Sequence, residues 1–351
     1  MSCPDVSVVL PVHNGEPALA ATMDALVAQT CASMEIVVVD DGSTDASAEI
    51  LSRYDDDPRV TVVHQANQGV WQARKQGIAR TSGRYLGFCD ADDLPHPRLW
   101  ETLLDKAETD GGEMVVTAYR RIVSTDHHLR GVEMRRPDDT VVVPASDPGG
   151  FASVNTSLWN KLFDGDMARR VASALDEDRL HFDPIPRRGQ DMLFLALCLP
   201  WVKKVTFTHE PLYDYLIRPD ATITMLTPTE AEHLAGNLRE IRAWVTEHCD
   251  ADDVRALATV VDTMAFVHLG LSALVSMNAN ASMSRRATRA YWQQMRARLD
   301  REFPYYRDRV PGAHTATKLK LAQWFDKRRM LVAATRAYVV LTKLTRRDAR
   351  W

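Results

Sequence analysis

The stretch YLGFCDADDLP, Tyr85 to Pro95, joins an apolar run directly to a cluster of three carboxylates. Its first five residues have the length and composition of a buried strand. Asp90, Asp92 and Asp93 then follow within four positions, and like charges this close repel each other. Such a cluster is either a solvated polar turn or a place where a positive group is held. The surrounding sequence helps to decide between these two interpretations.

The bulk composition is typical of a soluble globular protein with one large or two modest domains. The chain has 351 residues, 45% hydrophobic and 26% charged, with a formal net charge of −4 that argues against nucleic acid as the main partner. Its five cysteines form no CxxC pair, which favours reduced thiols over disulfides or a zinc site. No apolar run approaches about 20 residues, and no basic, cleavable leader precedes Ser7. We therefore expect a cytoplasmic protein without a signal peptide or membrane span.

Apolar runs of strand length alternate with helix-period segments over the first third of the chain. The runs are SVVLPV (7–12), EIVVVDD (35–41), VTVVHQ (60–65) and YLGFC (85–89). Residues 17–30 and 70–81 have helical periodicity, and Ser43, Thr44 or Asp45 is expected to cap a further helix. Continuous Val/Ile/Leu strands separated by helices predict an α/β fold with a mainly parallel sheet covered on both faces.

Polar residues follow each of these four runs. They are His13–Asn14, Asp40–Ser43, Asn67–Gly69 and Asp90–Asp93. Ligands of such sheets bind beyond the carboxyl ends of the strands, so the four ends together predict one site. Two aspartates in D-x-D spacing offer oxygen ligands, which favour Mg²⁺ or Mn²⁺ shared with substrate phosphates. We therefore prefer a bound divalent cation to the solvated turn.

The pattern changes from about Met114 onward. The segments 115–123 and 132–143 look like more exposed, antiparallel strands, and they are followed by SLWNKLF (157–163), PIPRRGQDMLF (184–194) and PLYDYLIRPDATIT (211–224). Beyond Thr229 helical periodicity dominates, in residues 230–248, 251–277, 284–302 and 314–347. We predict a helical C-terminal region over residues 226–351.

Four segments in this order resemble family 2 of the inverting glycosyltransferases, which have the GT-A fold. They are SVVLPVHNGEPALAATMDALVAQT, EIVVVDDGSTD, NQGVWQARKQGIARTSGRYLGFCDADD and GQDMLF, and the resemblance covers roughly residues 5–220. It implies a Rossmann-like catalytic domain over residues 1–225, with a nucleotide-sugar-binding half (1–113) and an acceptor-side half (114–225). It also implies metal-dependent transfer from a nucleotide sugar, a UDP-sugar, by a hexosyl- or N-acetylhexosaminyltransferase. The acceptor would be a hydroxyl of a glycan, polyol or lipid-linked molecule in cell-envelope or polysaccharide synthesis.

The resemblance also implies roles for residues on the donor side. Pro11, Val12, His13 and Asn14 would line the base, Asp41 would accept a hydrogen bond from uracil, and Asn67 and Arg74 would approach the ribose and diphosphate. Asp90 and Ala91 would contact the nucleotide sugar, while Asp92, with Asp90, would bind Mn²⁺ or Mg²⁺. Asp93 is expected to cap the helix that starts near His96. A turn leading into a helix is the alternative for Asp40 and Asp41.

Fewer residues are predicted to act on the acceptor side of the site. Asp191 would be the general base that takes the proton of the attacking hydroxyl, although Gln190 replaces the glutamate of similar proteins; a helix N-terminal acid is the alternative. Trp159 would stack on a sugar ring or simply pack under the acceptor loop. Lys161 would reach a phosphate or hydroxyl, and Arg218 would clamp the diphosphate.

Two questions stay open at the level of the sequence. The basic segment 314–347 carries an apolar stripe that suits either an anionic membrane surface or packing on the protein, and the helical region could also support oligomers. A non-catalytic sugar-nucleotide-binding or scaffolding protein is the rival function, because Gln190 departs from the family pattern. A sugar-1-phosphate nucleotidyltransferase is disfavoured, since PVHNGEPAL (11–19) has one glycine and no arginine or lysine for a triphosphate.

Overall fold

The computed structural model describes residues 3–123, 128–176, 189–217, 228–280, 283–308 and 316–344. Within them, the chain forms two units. The first comprises Met1–Val141, Thr156–Leu180 and Trp201–Thr222, and the second comprises Val142–Asn155, His181–Pro200 and Ile223–Trp351.

The described residues form ten strands of one sheet. The strands are β1 (Val6–Val12), β2 (Met34–Asp41), β3 (Val60–Gln65), β4 (Tyr85–Phe88), β5 (Leu94–Pro95), β6 (Met114–Val123), β7 (Leu129–Glu133), β8 (Val141–Val142), β9 (Lys161–Asp164) and β10 (Val205–Ile217). Helices α1 (Leu19–Val27), α2 (Ser47–Ser52), α3 (Val70–Ile78) and α4 (Leu99–Asp110) alternate with the first strands. The α/β alternation predicted from the apolar runs is therefore present.

The order β3-β2-β1-β4 is parallel throughout, and it continues through β9, β6 and β10 to β5. Val12 of β1 lies opposite Asp40 of β2, and Asp41 lies opposite Gln65 of β3. This register brings the carboxyl ends of the four strands to one edge. β6 pairs antiparallel with β7, as expected, but β7 lies at Leu129–Glu133, and the predicted strand 132–143 is not continuous. β6 also pairs parallel with β10.

Apolar residues cover both faces of the parallel part of the sheet. On one face, Val8 and Leu10 of β1 belong to a buried cluster with residues of α1 and α4, including Met23 and Trp100. On the other face, Val37, Val39 and Ala73 form a smaller cluster. β1 is buried along its whole length. A strand buried on both faces needs an unbroken apolar sequence, which SVVLPV supplies.

The second unit is helical. Its helices are α5 (Pro148–Phe151), α7 (Gln190–Leu197), α8 (Pro228–His248), α9 (Val254–Ala265), α10 (Ala273–Ala279), α11 (Arg285–Glu302), α12 (Thr317–Lys327) and α13 (Leu331–Leu344), while α6 (Gly165–Asp176) belongs to the first unit. A π-helical segment, Phe266–Ser272, joins α9 to α10. The helical C-terminal region is thus confirmed, although the expected segment 314–347 is two helices.

One helical stretch in the described part of the chain has the length and hydropathy of a membrane span, contrary to our expectation. Val254–Ala279 has 26 residues and a mean hydropathy of 1.6 over its most apolar window, and 83% of that window is buried inside the protein. Asp262, within this stretch, is fully buried and accepts a hydrogen bond from Arg242 at 2.6 Å. Burial of this kind is typical of a core helix of a globular protein.

Candidate active site

Asp41, the last residue of β2, holds the loop that follows β3. Its Oδ1 accepts hydrogen bonds from the Gln68 amide at 2.8 Å and from Gln65 Nε2 at 2.7 Å, while its Oδ2 accepts one from the Gly69 amide at 2.8 Å. The side chain is 2% exposed. Both carboxylate oxygens are therefore engaged inside the protein. The predicted hydrogen bond from uracil stays a prediction, and in this conformation Asp41 positions the loop.

Gly42 lets the chain turn sharply after Asp41. Its φ of +70° lies in the left-handed region, and a Cβ added there would stand 2.7 Å from the Asn67 amide nitrogen. Only glycine fits such a place without displacing the neighbouring loop. The turn and the loop of residues 66–69 are thus packed as one structure.

Asn67, His13 and Asn14 form an exposed polar rim next to this loop. The Asn67 side-chain amide lies 3.0 Å from His13 Nε2, and His13 Nδ1 lies 3.0 Å from the Asp41 carbonyl oxygen. Asn14 has a left-handed φ of 52°, and its Oδ1 accepts a hydrogen bond from the Thr44 amide at 2.8 Å. The structure brings these three residues together, while Pro11 and Val12 are buried beneath them.

Asp40 stabilises the turn itself. Its Oδ1 accepts a hydrogen bond from the Ser43 amide at 3.0 Å, and its Oδ2 lies 2.9 Å from His64 Nδ1. Burial alone would raise the pKa of Asp40, but the hydrogen bonds from Ser43 and His64 outweigh it and lower the pKa. The turn interpretation is therefore correct for Asp40. Helix α2 begins later than expected, with Asp45 accepting hydrogen bonds from both the amide and the hydroxyl of Ser47.

Arg74 supplies the positive group among the carboxylates that follow β4. Its Nη2 lies 3.1 Å from Asp90 Oδ1; the arginine side chain is 8% exposed and that of Asp90 29%. Helix α3 carries Arg74 to this point because the loop held by Asp41 fixes the start of the helix at Gly69. The guanidinium thus offsets one carboxylate charge.

Asp93 does not cap the helix near His96, and that expectation is wrong. Helix α4 begins at Leu99 and has no side-chain cap. Asp93 is 1% exposed and instead accepts hydrogen bonds from the Leu216 amide at 2.8 Å and from the Tyr213 hydroxyl at 3.1 Å. Burial, and then the charges of Asp90 and Asp92, hold the pKa of Asp93 well above its ordinary value. Tertiary hydrogen bonds to β10 therefore determine its orientation.

Tyr213, in the segment PLYDYLIRPDATIT, contributes to this site although the sequence assigned it no specific role. Its hydroxyl, fully buried, accepts a hydrogen bond from the Asp90 amide at 3.2 Å while it donates to Asp93. It lies 120 positions away from Asp93, so no local pattern indicates the contact. Tyr213 thereby ties the end of β4 to β10.

Asp90 and Asp92 remain as the carboxylates that could hold a cation. Both side chains are half-buried, with Ala91 between them. Among the described residues there is no group of three or more His, Cys, Asp or Glu side chains that could hold a metal ion by itself. Mg²⁺ and similar cations are commonly bound by one or two carboxylates together with substrate phosphates. The oxygen-only pair fits a cation shared with a phosphorylated ligand better than one caged by protein.

Two residues predicted for acceptor binding lie inside the first unit. Trp159 is 4% exposed and stacks on Tyr213 with 4.5 Å between ring centroids. The packing alternative thus describes Trp159. Lys161 is fully buried, and its Nζ donates to Asn160 Oδ1 at 2.9 Å and to the Ser157 carbonyl oxygen. In this conformation neither side chain is presented to an external acceptor.

The remaining predicted residues lie elsewhere. Asp191, half-buried, stands in the first turn of α7 in the second unit, where a carboxylate is favoured by the helix dipole. Gly189 precedes that helix with a φ of +85°. Arg218 lies outside the described residues.

Comparisons with known proteins consistently find glycosyltransferases. Residues 7–161 match the model of the family described as glycosyl transferase family 2. An uncharacterized glycosyltransferase, EpsJ of Bacillus subtilis, is 29% identical over 66% of this chain and 67% of its own length. YibD of Escherichia coli, also an uncharacterized glycosyltransferase, is 41% identical over 30% of this chain and 31% of its own length. The chain thus spans from about a third to two thirds of these relatives.

A solved structure extends the likeness to nearly the whole chain. The structure of residues 1–349 of TarS from S. aureus in complex with UDP-GlcNAc has a TM-score of 0.66, with 16% identity over 99% of this chain and 93% of that one. At this low sequence identity, the structural likeness establishes a shared fold and nothing further. The predicted α/β fold of the GT-A type, followed by helices, is therefore confirmed.

Proposed function

Because residues 7–161 make this chain a member of glycosyl transferase family 2, we propose that it transfers a sugar from a nucleotide sugar to a hydroxyl acceptor with inversion. The predicted family is confirmed, and with it the glycosyltransferase class. The donor we propose is a UDP-sugar, and the TarS structure contains UDP-GlcNAc. We further propose that residues 1–225 carry the catalysis.

The convergence of four strand ends supports the donor site more than any other observation. The exposed side chains of His13, Asn14 and Asn67 offer hydrogen-bonding groups for a nucleotide base and ribose. Asp41 holds the loop that presents Asn67. These contacts would orient the nucleotide so that its diphosphate faces Asp90 and Asp92.

Asp90 and Asp92 would hold a divalent cation, Mn²⁺ or Mg²⁺, together with the diphosphate. Such a cation, when bound, stabilises the negative charge that grows on the leaving nucleoside diphosphate. Arg74 keeps Asp90 oriented through its ion pair.

The attacking hydroxyl must lose its proton as the new bond forms, and we propose Asp191 as the base that takes it. The sugar acceptor that carries this hydroxyl would be a glycan, polyol or lipid-linked molecule. Trp159 and Lys161, buried in the first unit, would act through packing rather than by touching the acceptor.

We also propose that the chain works at the cytoplasmic side of a membrane, touching an anionic surface through residues 314–347. Several large apolar side chains of this segment are exposed, among them Leu321 at 52% and Trp324 at 45%. Truncation near residue 313 would be a poor test, because Leu319 and Leu331 are buried and their loss would open the core. Single substitutions on the surface are preferable.

Two measurements test the proposed activity. The first is a thermal-shift screen of UDP, GDP, CDP and their sugars with Mn²⁺ or Mg²⁺, since a ligand that binds only the folded state raises its melting temperature. We expect UDP-sugars with metal to give the largest shift. The second is release of UDP with acceptor extracts, with and without chelator, for the parent and for Asp191→Asn. Equal turnover by parent and variant would remove Asp191 as the base, and donor binding without any turnover would favour the non-catalytic alternative.

A further inference from the structure

A cavity of about 850 Å³ lies between helices α11 and α13 of the second unit. Two helical stripes line it. One consists of Arg285, Thr288, Arg289, Trp292, Gln293 and Arg296, and the other of Arg329, Val332, Ala333, Arg336, Ala337, Val340 and Leu341, with Asn278 of α10 between them. Each stripe follows the three- and four-residue spacing that places side chains on one face of a helix. The two stripes therefore direct five arginines toward one space.

The charged side chains that line this cavity are all positive. None of its lining residues is an aspartate or glutamate. Arg296 is paired with the buried Asp326 at 3.2 Å. Arg285, Arg289, Arg329 and Arg336 make no ion pair within the described part of the chain. Four guanidinium groups that share a cavity, with no carboxylate among the described residues that line it, are complementary to an anion, and guanidinium groups are suited to phosphate.

Arg329 occupies a position where the backbone favours glycine. It has a φ of 57°, and it ends α12 in a left-handed turn in which its amide donates to the Asp326 carbonyl oxygen at 2.8 Å. Glycine is the usual residue at such a helix end, because a Cβ is strained there. The chain thus places an arginine at this wall of the cavity although the backbone disfavours it.

The remaining lining of the cavity is apolar, and part of it is open to solvent. Val340 is 51% and Leu341 59% exposed, whereas Trp292, which also lines the cavity, is buried. A polyanion such as a nucleic acid or a charged glycan would account for the arginines but not for exposed aliphatic side chains beside them. A phosphate carried by an apolar chain accounts for both. We propose that this cavity binds the phosphate group of an anionic lipid, with the arginines contacting the phosphate and Val340 and Leu341 contacting the acyl chains.

This inference deepens the proposed membrane contact and rests on it, but not on sugar transfer. The site includes residues of α11, which lie outside the basic segment 314–347. The test is sedimentation of the full chain with vesicles of phosphatidylcholine alone or mixed with phosphatidylglycerol. We expect the parent to bind only the mixed vesicles. The double variant Arg289→Gln/Arg336→Gln should bind about 30-fold more weakly, since each arginine near an anionic surface contributes roughly fivefold.

A matched control separates the cavity from general positive charge. Arg80→Gln/Arg286→Gln removes the same charge from exposed positions that lie outside both the cavity and the segment 314–347. Equal weakening by this control would overturn the proposal of a site. Arg329→Gly should raise the melting temperature, because it relieves the left-handed residue, while it weakens vesicle binding; this combination excludes misfolding as the cause.

Three further results complete the test. Parent protein that ignores both vesicle types overturns the proposal. Calorimetry measures whether the parent and Arg289→Gln/Arg336→Gln bind inorganic phosphate. If the parent binds phosphate but not vesicles, and the double variant binds neither, the phosphate recognised by the cavity does not belong to a lipid. Donor hydrolysis should be unchanged in that double variant, and vesicle binding should be unchanged in Asp92→Asn. Failure of the lipid site is thereby distinguished from failure of the proposed transferase activity.

Discussion

Replacing Asp41 by asparagine tests whether this carboxylate holds the loop of residues 66–69 or only binds the uracil ring of a bound nucleotide. Asp41 is 2% exposed and accepts three hydrogen bonds from Gln65, Gln68 and Gly69. An asparagine of the same shape offers one oxygen. Its NH₂ group must therefore face either the Gly69 amide or the pair of donors at the other oxygen.

The expected cost follows from these contacts. In the better orientation the Gly69 amide loses its acceptor, at about 1–3 kcal/mol for a buried donor, and the two remaining bonds lose the strength of a charged acceptor, at roughly 1 kcal/mol in total. We expect the free energy of unfolding to fall by about 3 kcal/mol. If the loss is local, the amides of Gln68 and Gly69 should exchange with deuterium about 100-fold faster, since 1.4 kcal/mol corresponds to a factor of about ten.

Hydrogen exchange of peptides covering residues 66–70, combined with urea unfolding, measures both quantities. Gln65→Ala is the matched control, because it removes one neutral donor and keeps the charge; we expect it to cost about 1 kcal/mol. Unchanged exchange and stability in Asp41→Asn, with weaker UDP binding as its sole effect, would refute the loop interpretation and favour the direct contact with uracil.

Three other predictions concern stability. Tyr213→Phe should lower the free energy of unfolding by about 2 kcal/mol, because the buried hydroxyl bridges Asp93 and the Asp90 amide. A urea midpoint equal to that of the parent would show that these two hydrogen bonds do not contribute to stability. Gly87→Ala should cost about 2 kcal/mol, since a Cβ there would overlap the ring of buried Trp100, and an unchanged melting temperature would contradict the packing. Burial raises the pKa of Asp262 from 3.8 to about 6 although Arg242 lowers it. The folded state therefore binds the proton more tightly than the unfolded state, and the contribution of Asp262 to stability should fall by about 2 kcal/mol as the pH rises from about 4 to about 6. Urea unfolding of the parent and Asp262→Asn across this range should show the difference between them change by that amount; a constant difference would mean an ordinary pKa.

The sequence carried most of the information on the parallel strands and little on the contacts between distant segments. The runs before His13, Gly42 and Asp90 are continuous and apolar because both faces of the sheet are covered, so they could be assigned directly. The convergence of their ends follows from parallel pairing alone. The segments that resemble the family then indicated the chemistry of those strand ends.

Long-range hydrogen bonds explain the expectations that were wrong or incomplete. Asp93 looked like a helix cap because it is adjacent to a helix, yet a backbone amide 123 positions away determines its orientation. Lys161 looked accessible beside a tryptophan, but Asn160 and Ser157 hold its ammonium inside. Arg329 gave no glycine signal for the end of α12. The arginines of α11 have helical spacing in the sequence, but only the fold brings them next to those of α13.

The most direct test of the central claim is calorimetry of UDP binding with Mn²⁺ for the parent, for Asp92→Asn and for the control Asp56→Asn, an exposed aspartate away from the site. Binding should require the metal, disappear with chelator, and weaken at least tenfold in Asp92→Asn while Asp56→Asn behaves as the parent. UDP affinity that is the same with chelator, and the same in all three proteins, would contradict a nucleotide site in which the aspartates after β4 hold a cation.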